Sequence, residues 1–103
     1  MRLVASRLDV NHPWVSLAAA AEELLLLEHH ARHRWCPSCA EKHARTAAAL
    51  AEEAASLSGH AEPYHSIAPR VRNVALLAEE RAEKGTLAAA SRGVRIAILE
   101  LNK

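Results

Sequence analysis

Residues 35 to 57 read Trp35-Cys-Pro-Ser-Cys-Ala-Glu-Lys-His-Ala-Arg-Thr-Ala-Ala-Ala-Leu-Ala-Glu-Glu-Ala-Ala-Ser-Leu57. Pro37 suits the first turn of a helix, where its missing N–H costs no hydrogen bond. Ala, Leu, Glu and Arg, which fill the stretch behind it, are strong helix formers. The run ends at Ser58-Gly59, and Gly is the residue that most readily closes a helix in the left-handed conformation. Cys39, His43, Ala47, Leu50, Ala54 and Leu57 follow one another at helical spacing and define one face. The spacing therefore predicts that a cysteine and a histidine share a stripe with core leucines, pointing inward or toward a partner helix.

Upstream, Asn11-His12-Pro13 is a start signal, a polar capping residue ahead of a first-turn proline. A first helix is expected from about Pro13 to about His33. Its run Leu24-Leu25-Leu26-Leu27 is apolar on every side, which predicts a central place in the bundle or a subunit interface. Downstream, residues 59–66 read as a loop. A third helix is expected from near Ala68-Pro69 to Lys84-Gly85, with Val71, Val74, Ala78 and then Arg81 or Ala82 along one side. Thr86 is the expected cap of a fourth helix whose stripe is Leu87, Val94, Ile98 and Leu101. Gly93 within it costs about 1 kcal/mol relative to Ala unless it marks a close helix–helix approach. Residues 1–11 are expected to form an extended arm. Short connections make successive helices antiparallel neighbours.

Composition agrees. The 103 residues include 23 Ala and 14 Leu against 6 Val, 3 Ile and no Phe. Strands are built from β-branched and aromatic side chains, so a sandwich or barrel is excluded. The expected fold is all-α: a four-helix bundle-like single domain with a metal-clipped helical hairpin between its first two helices. With 13 basic and 12 acidic residues the formal charge is +1, and no strong global field draws the chain to nucleic acid or an anionic membrane. No apolar run is long enough to span a bilayer, and no apolar core of a signal peptide follows Arg2 and Arg7. A cytoplasmic or virion/assembly-associated protein, not one secreted by a signal peptide, is the expectation.

The chemistry is concentrated in residues 28–45, which hold both cysteines and four of the seven histidines. His29 and His33 are four apart near the end of the first helix, and Cys39 and His43 are four apart at the start of the second. A tight hairpin brings those pairs face to face, with Cys36 in the turn as a further donor. Zinc takes four tetrahedral sulfur and nitrogen ligands. Positions seven apart on one helix are separated by about 10 Å, so Cys36 must fold back from a non-helical position to join Cys39 and His43. The first helix must supply the fourth ligand, with His33 the first choice and then His29 and His30. A closed shell of this kind is structural and adds on the order of 10 kcal/mol to folding. A shell of three protein ligands would leave a position for water and hence for catalysis.

The same cysteines support a redox reading. A thiol at a helix N-terminus feels the positive end of the helix dipole, which makes thiolate available. Cys36-Pro37-Ser38-Cys39 followed by His43 is similar to the Cys-x-x-Cys-x-x-x-His motif of the AhpD-like (carboxymuconolactone decarboxylase-type) all-helical family. That resemblance, over about 20 residues, implies thiol–disulfide or peroxide reduction. It implies that Cys39 is the exposed or peroxidatic thiol, Cys36 its resolving partner, His43 the proton relay and Glu23 the acid. Glu23 stands one residue further upstream than the family pattern requires, and an Ala-rich helix replaces the Gly-containing segment that follows there.

The stretch Cys36 to His43, with Lys42 before the histidine and Ala51-Glu52-Glu53-Ala54 beyond, also resembles small uncharacterised helical proteins of phages and other viruses. That resemblance implies a helical module and no defined activity. Arg32, Arg34, Lys42 and Arg45, with Arg70 and Arg72, make local basic spots that read mainly as solvated helix faces, with nucleic-acid binding a minor alternative. The glutamate pairs 22-23, 52-53 and 79-80 read as surface charge, since no Glu-x-x-His repeat accompanies them. The function expected from the whole is a zinc-stabilised structural, assembly or protein-interaction module, plausible as a subunit of a viral or other large assembly. The alternative is a thiol–disulfide oxidoreductase using Cys36 and Cys39.

Overall fold

The computed structural model describes residues 12–101, so the expected arm over residues 1–11 lies outside the described residues. Four helices follow: α1 (Pro13–Arg32), α2 (Pro37–Leu57), α3 (Tyr64–Glu79) and α4 (Lys84–Glu100). Each packs against its neighbour in sequence, and α4 returns to pack on α1, closing a four-helix bundle. The α1–α2 and α3–α4 turns lie at one end, where Trp35 and Pro37 meet Ala78, Ala82 and Leu87 around a small cleft of about 60 Å³.

The prolines that start the first two helices stand where the sequence places them, and the first is preceded by the expected polar cap. His12 Nδ1 accepts from the Trp14 N–H at 3.0 Å ahead of Pro13, and Cys36, in extended conformation ahead of Pro37, caps α2. Gly59 takes the left-handed conformation at φ 68°, with the His60 N–H closing onto Ala55 O and the Gly59 N–H onto Ser56 O. This is the double closure that left-handed glycine favours.

The third and fourth helices correct their expected bounds. α3 begins four residues before Ala68, so the loop is shorter than residues 59–66, and Pro69 lies inside the helix. Ile67, Val71, Val74 and Ala78 are all buried at helical spacing. That continuous apolar face carries the helix through the proline, at the cost of one backbone bond. Glu62 Oε1 accepts from the Ser66 N–H at 3.1 Å and helps satisfy the first turn. At its other end α3 stops at Glu79, because Arg81 turns left-handed at φ 58° and the same double closure forms through Arg81 and Ala82. Glu83, not Thr86, caps α4, its carboxylate accepting from the Thr86 N–H. Gly85 then falls in the first turn of α4. Leu101, expected on the α4 stripe, is 39% exposed, whereas Leu87, Val94 and Ile98 are buried.

Burial also corrects two faces. On α2 the core is Ala40, Ala44, Ala47, Ala51, Ala54 and Ala55, while Cys39, His43 and Leu50 are half-buried and Leu57 is exposed. Alanines let α1 and α3 approach the α2 backbone closely, so the small residues take the centre and the larger ones the seams. On α1, Leu24 and Leu27 are fully buried but Leu25 and Leu26 are each 44% exposed. The four-leucine run is thus half in the core, and α1 is not a central helix. Gly93 is no close-approach site either: a Cβ built there meets nothing within 4 Å, because it faces an open groove between α3 and α4. Among the described residues no helix is long and apolar enough to cross a membrane.

Candidate active site

Cys36 caps α2 and Cys39 occupies its first turn, and the two are joined by a disulfide with Cα atoms 5.2 Å apart. That separation is ordinary for a disulfide. The fold-back of Cys36 from an extended position, expected from Pro37, is what brings the sulfurs together. Cys36 Sγ accepts from the Cys39 N–H at 3.2 Å and lies 3.6 Å from Ser38 Oγ. The first-turn N–H groups of a helix have no partner within it, so this contact is where a sulfur carrying negative charge is best stabilised.

One turn further along α2, His43 reaches across to α1. Its Nδ1 lies 2.8 Å from Glu23 Oε1, and both side chains are about a quarter exposed. A carboxylate only accepts, so Nδ1 carries the hydrogen of this bond. The free ring nitrogen is then Nε2, available to take up or release a proton. An imidazole oriented by a carboxylate is the arrangement used wherever a histidine moves protons for a nucleophile. Cys39 precedes His43 by four residues, which places their Cβ atoms about 6 Å apart on one helix face.

The α1 histidines arrange themselves differently from the expected facing pairs. It is His30, the last-ranked zinc candidate, whose ring stacks on His43, with centroids 5.4 Å apart and an interplanar angle of 25°. His29 and His33 stack on each other at 4.3 Å. Crowding holds the His29 imidazole below the ordinary histidine range, first through partial desolvation and then through the positive charge of His33, Arg32 and His30. These three histidines, with Arg34 and Trp35, wall a cleft of about 390 Å³ into which Cys36 and Cys39 open.

The donors expected to hold zinc, Cys36, Cys39, His43 and His33, do not form a shell in this arrangement. The sulfurs are bonded to each other, His43 Nδ1 is engaged by Glu23, and the His33 ring lies against His29. Among the described residues no group of three or more His, Cys, Asp or Glu side chains is placed to hold a metal ion. A zinc shell built from these residues requires both thiols in their reduced form.

Two polar features went unread in the sequence. Glu28 is buried between α1 and α4, where Arg95 Nη2 donates to its Oε1 at 2.8 Å and Arg95 Nε to its Oε2 at 2.9 Å. The buried Ser91 hydroxyl adds a contact to Glu28 Oε2 at 2.9 Å. The glutamate pairs expected as plain surface charge also reach across helices. Glu23 holds His43, Glu52 meets Arg72, Glu53 accepts from Ser16, and Glu79 meets Arg45. Arg45 and Arg72, two of the residues behind the nucleic-acid alternative, are therefore engaged by carboxylates. Apart from Glu23, which the AhpD-like resemblance singles out together with His43, these partners depend on the helix register and carry no local sequence signal.

Comparison with known protein families, with curated proteins and with solved structures finds no match to this chain.

Proposed function

We propose that the protein is a thiol–disulfide oxidoreductase whose working groups are Cys36, Cys39, His43 and Glu23. The observation that carries this reading is the 2.8 Å contact between His43 and Glu23 beside a Cys-x-x-Cys disulfide at a helix N-terminus. It places an oriented imidazole one helical turn from a dithiol, and it falls on the four residues that the AhpD-like resemblance singles out.

The reaction is an exchange of one electron pair. Reduced Cys36 and Cys39 act on an external disulfide R–S–S–R, and the products are two R–SH and the Cys36–Cys39 disulfide. An external dithiol restores the reduced pair. Cys36 is the better attacking sulfur, because the Cys39 N–H and the helix N-terminus stabilise its thiolate. Cys39 then attacks the mixed disulfide, with His43 accepting its proton. These roles are the reverse of those the resemblance implies.

The test is turnover of a disulfide substrate with dithiothreitol as reductant. Catalysed exchange abolished by Cys36→Ser, and trapping of a mixed disulfide by Cys39→Ser, support the reading. Failure of the reduced protein to exchange with any disulfide refutes it. Binding of one zinc per reduced chain, lost in Cys36→Ser and His33→Ala, would instead favour a structural clip.

A second reading, a protein-interaction module, draws on Leu25 and Leu26, an adjacent apolar pair lying 44% exposed on α1. Sedimentation over a range of concentrations tests it. Self-association weakened by Leu25→Glu supports it, and a monomer at every concentration removes self-association from consideration.

A further inference from the structure

Exchange chemistry needs a place for the disulfide that is reduced, and the cleft beside Cys36 and Cys39 has the dimensions of one. Its volume of about 390 Å³ is within the range of about 300–1,000 Å³ usual for small-molecule sites. Arg34 contributes a permanent positive charge to its wall, and His29, His30 and His33 contribute imidazole N–H donors. Among the described residues no carboxylate lines it. The nearest acidic side chains on α1 are committed elsewhere, Glu23 to His43 and Glu28 to Arg95. Trp35 adds an apolar surface for the carbon skeleton of a ligand.

We propose that this cleft is the binding site for a small, acyclic disulfide carrying carboxylate groups, positioned by Arg34 and the α1 histidines for attack by Cys36. The inference rests on the exchange reading above. In the reaction, the Cys36 thiolate forms a bond to one substrate sulfur as the S–S bond breaks, and the leaving thiolate takes up a proton to become the first R–SH. Cys39, deprotonated by His43, attacks Cys36 in the mixed disulfide. The second thiolate departs and receives that proton, and the Cys36–Cys39 bond is restored.

The experiment compares glutathione disulfide, which is anionic, with the neutral bis(2-hydroxyethyl) disulfide, on the full chain with dithiothreitol as reductant. The expected KM for the anionic substrate is about tenfold lower, the size of one charge-assisted contact. Raising the salt concentration, or Arg34→Gln, brings the ratio of the two KM values toward one. A second readout needs no redox activity. Glutathione disulfide is titrated into the Cys36→Ser/Cys39→Ser protein, with and without Arg34→Gln, and binding that weakens about fivefold or more in the Arg34 variant supports the site. Equal KM values together with no binding to the double variant overturn the anionic cleft and leave the exchange reading intact. Arg34-dependent binding without exchange of either disulfide overturns the exchange reading and leaves the cleft standing as an anion site.

Discussion

Glu23 of α1 and His43 of α2 stand 20 residues apart in the chain and 2.8 Å apart across the seam between the helices. The contact fixes which ring nitrogen of His43 carries a hydrogen, and it leaves the other free on the helix that also carries Cys39. Replacing Glu23 by Gln keeps a side chain of the same shape but removes the charge that stabilises an imidazolium. The expected result is a slowing of the resolving step by about 100-fold, the lower end of what a positioned acid–base group contributes. Stopped-flow measurement of release of the second thiol from the mixed disulfide checks this, and release at the wild-type rate would remove Glu23 from the relay.

The bond between Glu28 and Arg95 is nearly closed to water, with the glutamate side chain 4% exposed and the arginine 19%. Arg95→Leu leaves a buried carboxylate with the Ser91 hydroxyl as its remaining side-chain contact. Removing one member of such a pair typically costs about 3–5 kcal/mol, and the partial exposure of Arg95 places the expected loss near the lower figure. Urea denaturation measures it. The double variant Glu28→Leu/Arg95→Leu is expected to regain part of that loss, since the uncompensated charge is gone. A loss below about 1 kcal/mol in the single variant would mean that water reaches Glu28 freely.

Gly93 sits in the interior of α4, and a methyl group added to its Cα would meet nothing within 4 Å. Gly93→Ala therefore gains helix propensity without a clash, about 1 kcal/mol. For a domain of this size that corresponds to a rise of about 4–8 °C in Tm, read by thermal denaturation. A fall in Tm would show that the groove between α3 and α4 closes onto the glycine.

Glu83 caps α4, and hydrogen bonds from the backbone N–H groups of Gly85 and Thr86 hold its carboxyl below the ordinary glutamate value of 4.5. A group whose folded pKa is depressed stabilises the fold above its unfolded value and loses that contribution as pH falls through the folded one. Glu83→Ala is accordingly expected to cost stability at pH 7, and the gap to wild type is expected to shrink as pH falls below 4.5. Denaturation curves of both proteins across that interval check the sign. A gap that stays constant down to acid pH would assign the effect to packing of the side chain and not to its charge.

Much of the helical layout was legible, because its signals are local. Pro13 and Pro37 start helices, Gly59 ends one, and a polar residue caps the turn at Pro13; the cap that Cys36 provides at Pro37 was not among these signals. Pro69 misled for the opposite reason: a local breaker was overridden by the buried face running from Ile67 through Ala78. Arg81 marked a helix end that a glycine would have announced. On α2, Ala47 and Ala54 of the expected face are in the core, but Ala40, Ala44 and Ala51 are buried where Cys39, His43 and Leu50 were expected, since alanine wins where two helices must approach closely. Cys36, Cys39, His43 and Glu23 were all visible as candidates, the last through family resemblance only. The stacking of His30 on His43 was not visible, nor was the burial of Glu28.

Taken alone, the order of residues determined that this chain is helical, where its first two helices begin, and that its sulfur and imidazole chemistry gathers at one turn. Backbone propensities, caps and the reach of Cys36 back to Cys39 act over a few residues and need no partner. Tertiary packing decided which side of each helix faces the core, which glutamate meets His43 and which meets Arg95, and that a cleft walled by histidines and Arg34 opens beside the sulfurs. Those outcomes depend on the rotation and axial shift of one helix against another, which are set by the summed fit of side chains from distant parts of the chain.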